Sequence, residues 1–253
     1  MRFGIPIHLL PKNSEEKEIK INIDYDAYIL SLIKTGLSTE NPALFKELFG
    51  KPTQKNYSTS VFFQNATFTK DNIVLDKNGE MKLYFSTANT NLAINFYNSF
   101  VYLDHLDAEK LPFGHSYLAD VEKLYTVELP KITKDKVILK TMSPIVIRND
   151  EGRFISCPND STEEELAEFN DALRRNTFNK LRDNESLAST VKGLKFKPIK
   201  MRKTVRKSFG LNIECTKGIF ELEGNPTLLN FIQESGLGEK TGTFSGMISL
   251  AYR

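Results

Sequence analysis

The sequence contains no tryptophan, two cysteines and three histidines among its 253 residues. Each scarcity excludes something. Cys157 and Cys215 show no metal-ligand spacing, so neither a zinc site nor a disulfide framework is expected, and a reducing cytoplasm is the expected compartment. His8, His105 and His115 include no pair at helical ligand spacing, and each reads as a surface or packing residue rather than a catalyst. No apolar run approaches the roughly 20 residues that span a bilayer, and the N-terminus shows no apolar signal segment, so no membrane partner is expected. Acidic residues are scattered, without the constellation that holds a pair of metal ions for phosphodiester chemistry. No metal or other cofactor is expected. With a net charge of +2, bulk charge names no partner either.

What is present is a sequence of alternating periodicities. Apolar residues at Phe3, Ile5, Ile7 and Leu9 predict an opening strand. Tyr25, Tyr28, Ile29, Leu32, Ile33 and Leu37 recur at helical spacing, with Asp24 placed to cap, and Pro42 to Phe49 predicts a second short helix. Strands at Ser58 to Phe63 and Met81 to Ser86, a helix at Asn91 to Val101 and a strand from Tyr117 to Val127 complete the order β, α, β, β, α, β. The second half repeats it. Val137, Leu139 and Met142 lead through Pro144 into Ile147. Ser161 and Glu164 form a capping box for a helix reaching toward Leu181. Strands at Lys195 to Val205 and Leu211 to Leu222, a helix from Thr227 to Ser235 and a strand from Ile248 to Tyr252 follow. The fold class read from this order is α+β, two tandem ferredoxin-like domains, residues 1–130 and 131–253.

Two stretches carry chemistry. From Lys192 to Lys207 there are eight basic residues and no acid, among them Lys195, Lys197, Lys200, Arg202, Lys203, Arg206 and Lys207. A basic hairpin of this kind suits a polyanion, and the competing reading is a solvated edge strand guarded by lysines. The other stretch runs from Gly236 through Gly238, Lys240 and Gly242 to Gly246, where glycines allow close backbone approach and amides can cradle phosphate. The competing reading there is a helix C-cap followed by an ordinary turn.

The terminal segment Gly236-Leu237-Gly238-Glu239-Lys240 through Gly246-Met247 resembles the C-terminal glycine-rich signature of the CRISPR-associated repeat-processing endoribonucleases, a family of tandem ferredoxin-like RNA-binding proteins. Supporting pieces are Met1-Arg2-Phe3, Asp24-Tyr25-Asp26-Ala27-Tyr28, Asn41-Pro42 and Thr141-Met142-Ser143-Pro144-Ile145. The resemblance implies metal-free cleavage of the repeats of a CRISPR precursor transcript. The ribose 2′-OH attacks the adjacent phosphate, leaving a 2′,3′-cyclic phosphate and a 5′-hydroxyl. It also implies that the processed guide RNA is a partner, with other CRISPR effector subunits as further candidates, and a monomer or homodimer.

Such enzymes often use a tyrosine on the first helix, a histidine after the next short helix and a lysine shortly beyond. Here those positions correspond to Lys34, Phe49 and Lys55, and a loop glycine is replaced by Phe244 or shifted to Gly242. The histidine is absent. One reading is a site of Lys34, Lys51, Lys55 and Tyr57, since lysine stabilises phosphorane charge and like-charged neighbours tune its proton affinity. The other is a subunit that binds repeat RNA with weak or no cleavage. A structural ribonucleoprotein component without repeat specificity is a third.

Overall fold

The computed structural model describes residues 1–13, 18–51 and 54–251. The first half comprises β1 (Arg2–Pro11), β2 (Ile19–Asn22), α1 (Asp26–Glu40), α2 (Pro42–Phe49), β3 (Tyr57–Phe63), β4 (Thr67–Phe68), β5 (Asn72–Leu75), β6 (Glu80–Thr87), α3 (Thr90–Asp104), β7 (Pro112–Phe113), β8 (Tyr117–Val121) and β9 (Tyr125–Val127). The second comprises β10 (Lys136–Thr141), β11 (Ile147–Arg148), β12 (Phe154–Ile155), α4 (Glu163–Lys180), α5 (Glu185–Ala188), β13 (Lys195–Ser208), β14 (Leu211–Glu223), α6 (Pro226–Ser235) and β15 (Ile248–Leu250).

The two principal sheets are antiparallel and share one plan. In the first the order is β3-β6-β1-β8-β7, with β9 also pairing β1, and in the second it is β13-β14-β10-β15. In each, the opening strand lies between the third and the last of the unit, as the split βαβ arrangement requires. The chain is thus a pair of ferredoxin-like units.

Each half has its own core. In the first, the alternating residues of β1 meet α1 and α3, and Phe85 stacks on Phe96 at 4.1 Å between ring centroids. Tyr57 adds a tilted contact to both rings, at 5.3 and 5.0 Å. Ring pairs of this kind contribute about 0.5–1.5 kcal/mol beyond their buried area. In the second, Phe169, Phe196 and Phe220 bridge α4 to the sheet.

Several expectations shift. Asp24 does not cap α1, which begins after Tyr25 without a side-chain cap; its carboxylate instead accepts the amides of Phe209 and Gly210 at the tip of the β13–β14 hairpin. The capping box of α4 is Thr162 with Glu165, one residue beyond the predicted pair. The strand expected over 117–127 is broken at 122–124, and both pieces continue along β1. A small sheet of β2, β5 and β4 was not foreseen. Of the final predicted strand, Tyr252 lies outside the described residues.

The halves are joined by buried polar contacts. Arg2, on β1, is 2% exposed and donates to the carbonyls of Gln233 and Ile248 at 2.9 and 2.8 Å. Burial lowers its guanidinium pKa to about 10. On the other side Arg206 and Ser208 of β13 bind the buried carboxylate of Asp26 at the start of α1.

Candidate nucleic-acid interface

Lys34 extends from α1 toward the end of α2. Asn41 caps α2 by accepting the Leu44 amide at 3.0 Å, Pro42 occupies its first turn, and Phe45 packs on Phe49 one turn later at 5.5 Å. Phe49 therefore has a fixed place, and two ammonium groups sit over its ring: Lys34 at 5.2 Å and Lys55 at 5.4 Å. Lys55 also donates to the Leu48 carbonyl at the end of α2. Its pKa is lowered, chiefly by burial and further by the charge of Lys34, with Glu47 opposing.

The glycine-rich segment faces this group. Lys55, Tyr57, Arg148, Asn176, Lys240 and Gly242 all line one cleft of about 580 Å³ between the two halves. A Cβ at Gly242 would lie 2.9 Å from Lys55 Cγ and 3.0 Å from the Tyr57 ring, so the absent side chain is what lets the backbone close on them. Gly242→Ala is expected to cost about 1–3 kcal/mol in a denaturant melt through overpacking. Lys240 has a lowered pKa from burial first and from Arg148 next. Arg148 pairs with Glu239 at 3.2 Å.

The segment is held from within. Gly236 donates its amide to Ile232, Leu237 to Gly246, Glu239 to Val146 and Gly246 to Pro144, each at 2.8 Å. The expected amide contact to phosphate is therefore unavailable at Gly236 and Gly246, both of which are buried. Gly238 packs against the Val146 carbonyl and reaches the cleft rim. Thr59 of β3 donates to the Thr241 carbonyl and accepts the Phe244 amide. Phe244 adopts φ 60°, uncommon for a bulky residue, and its ring enters the first half's core beside Tyr25. Its departure from glycine is thus an anchor.

The remaining predicted residues divide. Tyr57 is 1% exposed, its hydroxyl has no hydrogen-bond partner among the described residues, and burial raises its pKa well above the usual range. That environment disfavours proton release. Lys51 is exposed just after α2 and does not line the cleft. Along β13, register brings acids that the linear run lacks: Lys195 lies 3.8 Å from Glu223, Lys203 lies 2.6 Å from Glu214, and Lys197 is opposite Glu221. Lys200 and Arg202, beside the irregularity at Pro198/Lys200, share a depression with Lys140 and Lys217. Lys140 and Lys217 also line a groove of about 750 Å³ between the halves, with Tyr84 and Tyr125. Lys207 is exposed opposite Asn212. Arg206 turns inward, donating to Asp26, the carbonyls of Thr243 and Phe244, and Ser245 Oγ.

Arg148, Asn176, Asn179 and Lys180 were missed. No local motif marks them, because only the docking of α4 and β11 against the first half brings them to the cleft or beneath its glycine-rich wall.

Residues 127–250 match the family described as CRISPR associated protein Cas6, C-terminal. The CRISPR-associated endoribonuclease Cas6 1 of Methanocaldococcus jannaschii is 26% identical over 254 residues, covering 98% of this chain and 93% of that protein. Among solved structures, a Cas6-related protein from Pyrococcus furiosus superposes with a TM-score of 0.75 at 20% identity over the whole of both chains. A RAMP protein described as binding different RNA substrates gives 0.74 at 18% identity, covering 98% of this chain and 99% of the other. The match over the second unit, the glycine-rich segment within it and the fold shared along the whole chain make this protein similar to the Cas6 proteins of CRISPR systems.

Proposed function

We propose that this protein cleaves CRISPR precursor RNA within its repeats without a metal, by attack of a ribose 2′-OH on the adjacent phosphate. The observation that carries the reading is the convergence of Lys55, with Lys34 beside it, on the wall formed by Lys240 and Gly242. The reaction needs a base for the 2′-OH, an acid for the departing 5′-oxygen and positive charge for the phosphorane. Lys55 supplies the charge. Lys34, held over the same ring, exchanges protons with the reacting oxygens. Lys240 and Arg148 hold the flanking phosphates.

The groove bearing Tyr84, Tyr125, Lys140 and Lys217 and the adjoining depression at Lys200 and Arg202 carry the rest of the repeat, by stacking and phosphate contact. Residues 1–130 then provide the lysine pair and the stacking tyrosines, and residues 131–253 the basic grip.

The test is labelled repeat RNA in excess EDTA, beside the same RNA with one 2′-deoxy substitution at each candidate cut. A single cut, abolished by a single deoxy substitution, is expected. Binding should also weaken with salt, log K falling by about 0.7 per phosphate contacted for each unit of log salt on a single strand. Tight binding with no cut would replace this reading with that of a repeat-RNA binding subunit, which the substitution of the family's histidine position by Phe49 specifically favours.

A further inference from the structure

Lys180 closes the last turn of α4 and is 7% exposed. Lysines are almost never so buried without a partner of opposite charge. Among the described residues none lies within ion-pair distance of it. Its ammonium instead donates to the Gly236 carbonyl at 3.0 Å and to Thr241 Oγ1 at 3.4 Å. These acceptors stand at the start of the glycine-rich segment and at the turn facing Lys55.

Thr241 Oγ1 donates onward to the Lys55 carbonyl at 3.4 Å. An ammonium has no lone pair, so a charged Lys180 can only donate to Thr241, and the single hydroxyl proton is then directed at Lys55. A neutral amine has a lone pair that competes for that proton. Burial lowers the pKa of Lys180 to about 7, with Glu239 of the segment opposing. Glu239 is itself paired with Arg148 of β11.

We infer that Lys180 is a positioning residue for the cleft: it fastens both limbs of the glycine-rich segment to α4 and, through Thr241, sets the backbone of Lys55 without touching RNA. The inference rests on the cleft being the cleavage site. Its geometry does not follow from stability alone, because a buried lysine without a carboxylate is a costly way to hold a loop that backbone bonds already hold.

The test compares wild type with Lys180→Met, which keeps the stem and removes the ammonium, and with Thr241→Val. Four quantities are read: single-turnover cleavage of repeat RNA across pH, RNA affinity, melting temperature, and hydrogen exchange over residues 236–244. Lys180→Met is expected to slow cleavage by about 100-fold, the scale set by small misplacements of a reacting group. RNA affinity should stay within about threefold, because no phosphate contact is lost. Exchange over 236–244 should accelerate, the part of the pH profile that follows deprotonation of Lys180 should be absent, and Thr241→Val should reproduce the slower cleavage. Wild-type rate and wild-type exchange in Lys180→Met would overturn the inference. So would a parallel loss of melting temperature, affinity and rate, which marks a merely structural residue. If wild type cuts no RNA, the cleavage reading fails on its own, and exchange decides: acceleration confined to 236–244 upholds the fastening, and unchanged exchange overturns it.

Discussion

Lys55→Ala is expected to lower the single-turnover rate of repeat cleavage by about 10²–10³, the range for removing one charged or hydrogen-bonding stabiliser of a transition state. RNA affinity should fall less than about fivefold, and the salt slope should drop by about 0.7, because one phosphate contact is lost. The split follows from geometry. Lys55 is the lysine that shares the Phe49 ring with Lys34, contacts the wall at Gly242 and receives the Thr241 hydroxyl on its carbonyl. Its ammonium is held at the Leu48 carbonyl, at the C-terminal end of α2, where a cation is favoured. A bound phosphate is expected to exchange that acceptor for a full negative charge.

The pH dependence has a defined sign. Burial and Lys34 lower the pKa of Lys55, so its positive charge is lost as pH rises through that lowered value. Activity should therefore decline on the alkaline side at lower pH than an ordinary lysine would give, and in Lys34→Met, whose overall rate should be lower, the decline of the residual activity should move back upward. An unchanged cleavage rate in Lys55→Ala would remove Lys55 from the chemistry. Equal loss of rate and affinity would make it a binding residue only.

Much of this was legible because it is periodic. The alternation of Phe3, Ile5, Ile7 and Leu9, and the helical spacing from Tyr25 to Leu37, report one buried face each, and the burial in the structure follows them. The element order then yields both sheets, since short antiparallel connections leave few topologies. The candidate cleft was legible only in its local parts. Lys55 and the glycine-rich segment were singled out by position and line it, with Lys34 beside Lys55 over the Phe49 ring, whereas Arg148 and Lys180 acquire meaning only when two units dock. The basic run misled in a similar way. Its freedom from acids is true along the chain, but cross-strand register places Glu214, Glu221 and Glu223 beside its lysines. Asp24 likewise looked like a cap because its partners lie 185 and 186 residues away.

Arg206 is the residue for which the linear and spatial readings diverge most, and it carries the second large effect. Asp26→Ala is expected to destabilise the protein by about 3–5 kcal/mol, because it leaves the charge of a largely buried arginine without its carboxylate. For a chain of this size that lowers the melting temperature by about 6–20 °C, at 2–4 °C per kcal/mol. Replacing both partners, Asp26→Leu with Arg206→Met, should recover much of the loss, since apolar pairs of similar volume often match a buried ion pair. Function should not recover with it. Arg206 also holds the carbonyls of Thr243 and Phe244 and the hydroxyl of Ser245, so the double variant keeps its fold while the wall facing Lys55 loses its support. Slow cleavage at restored stability is the expected outcome. If Arg206 instead gripped RNA, Arg206→Met would reduce the salt slope of binding; an internal clamp leaves that slope at the wild-type value, so a salt titration of the double variant separates the two roles.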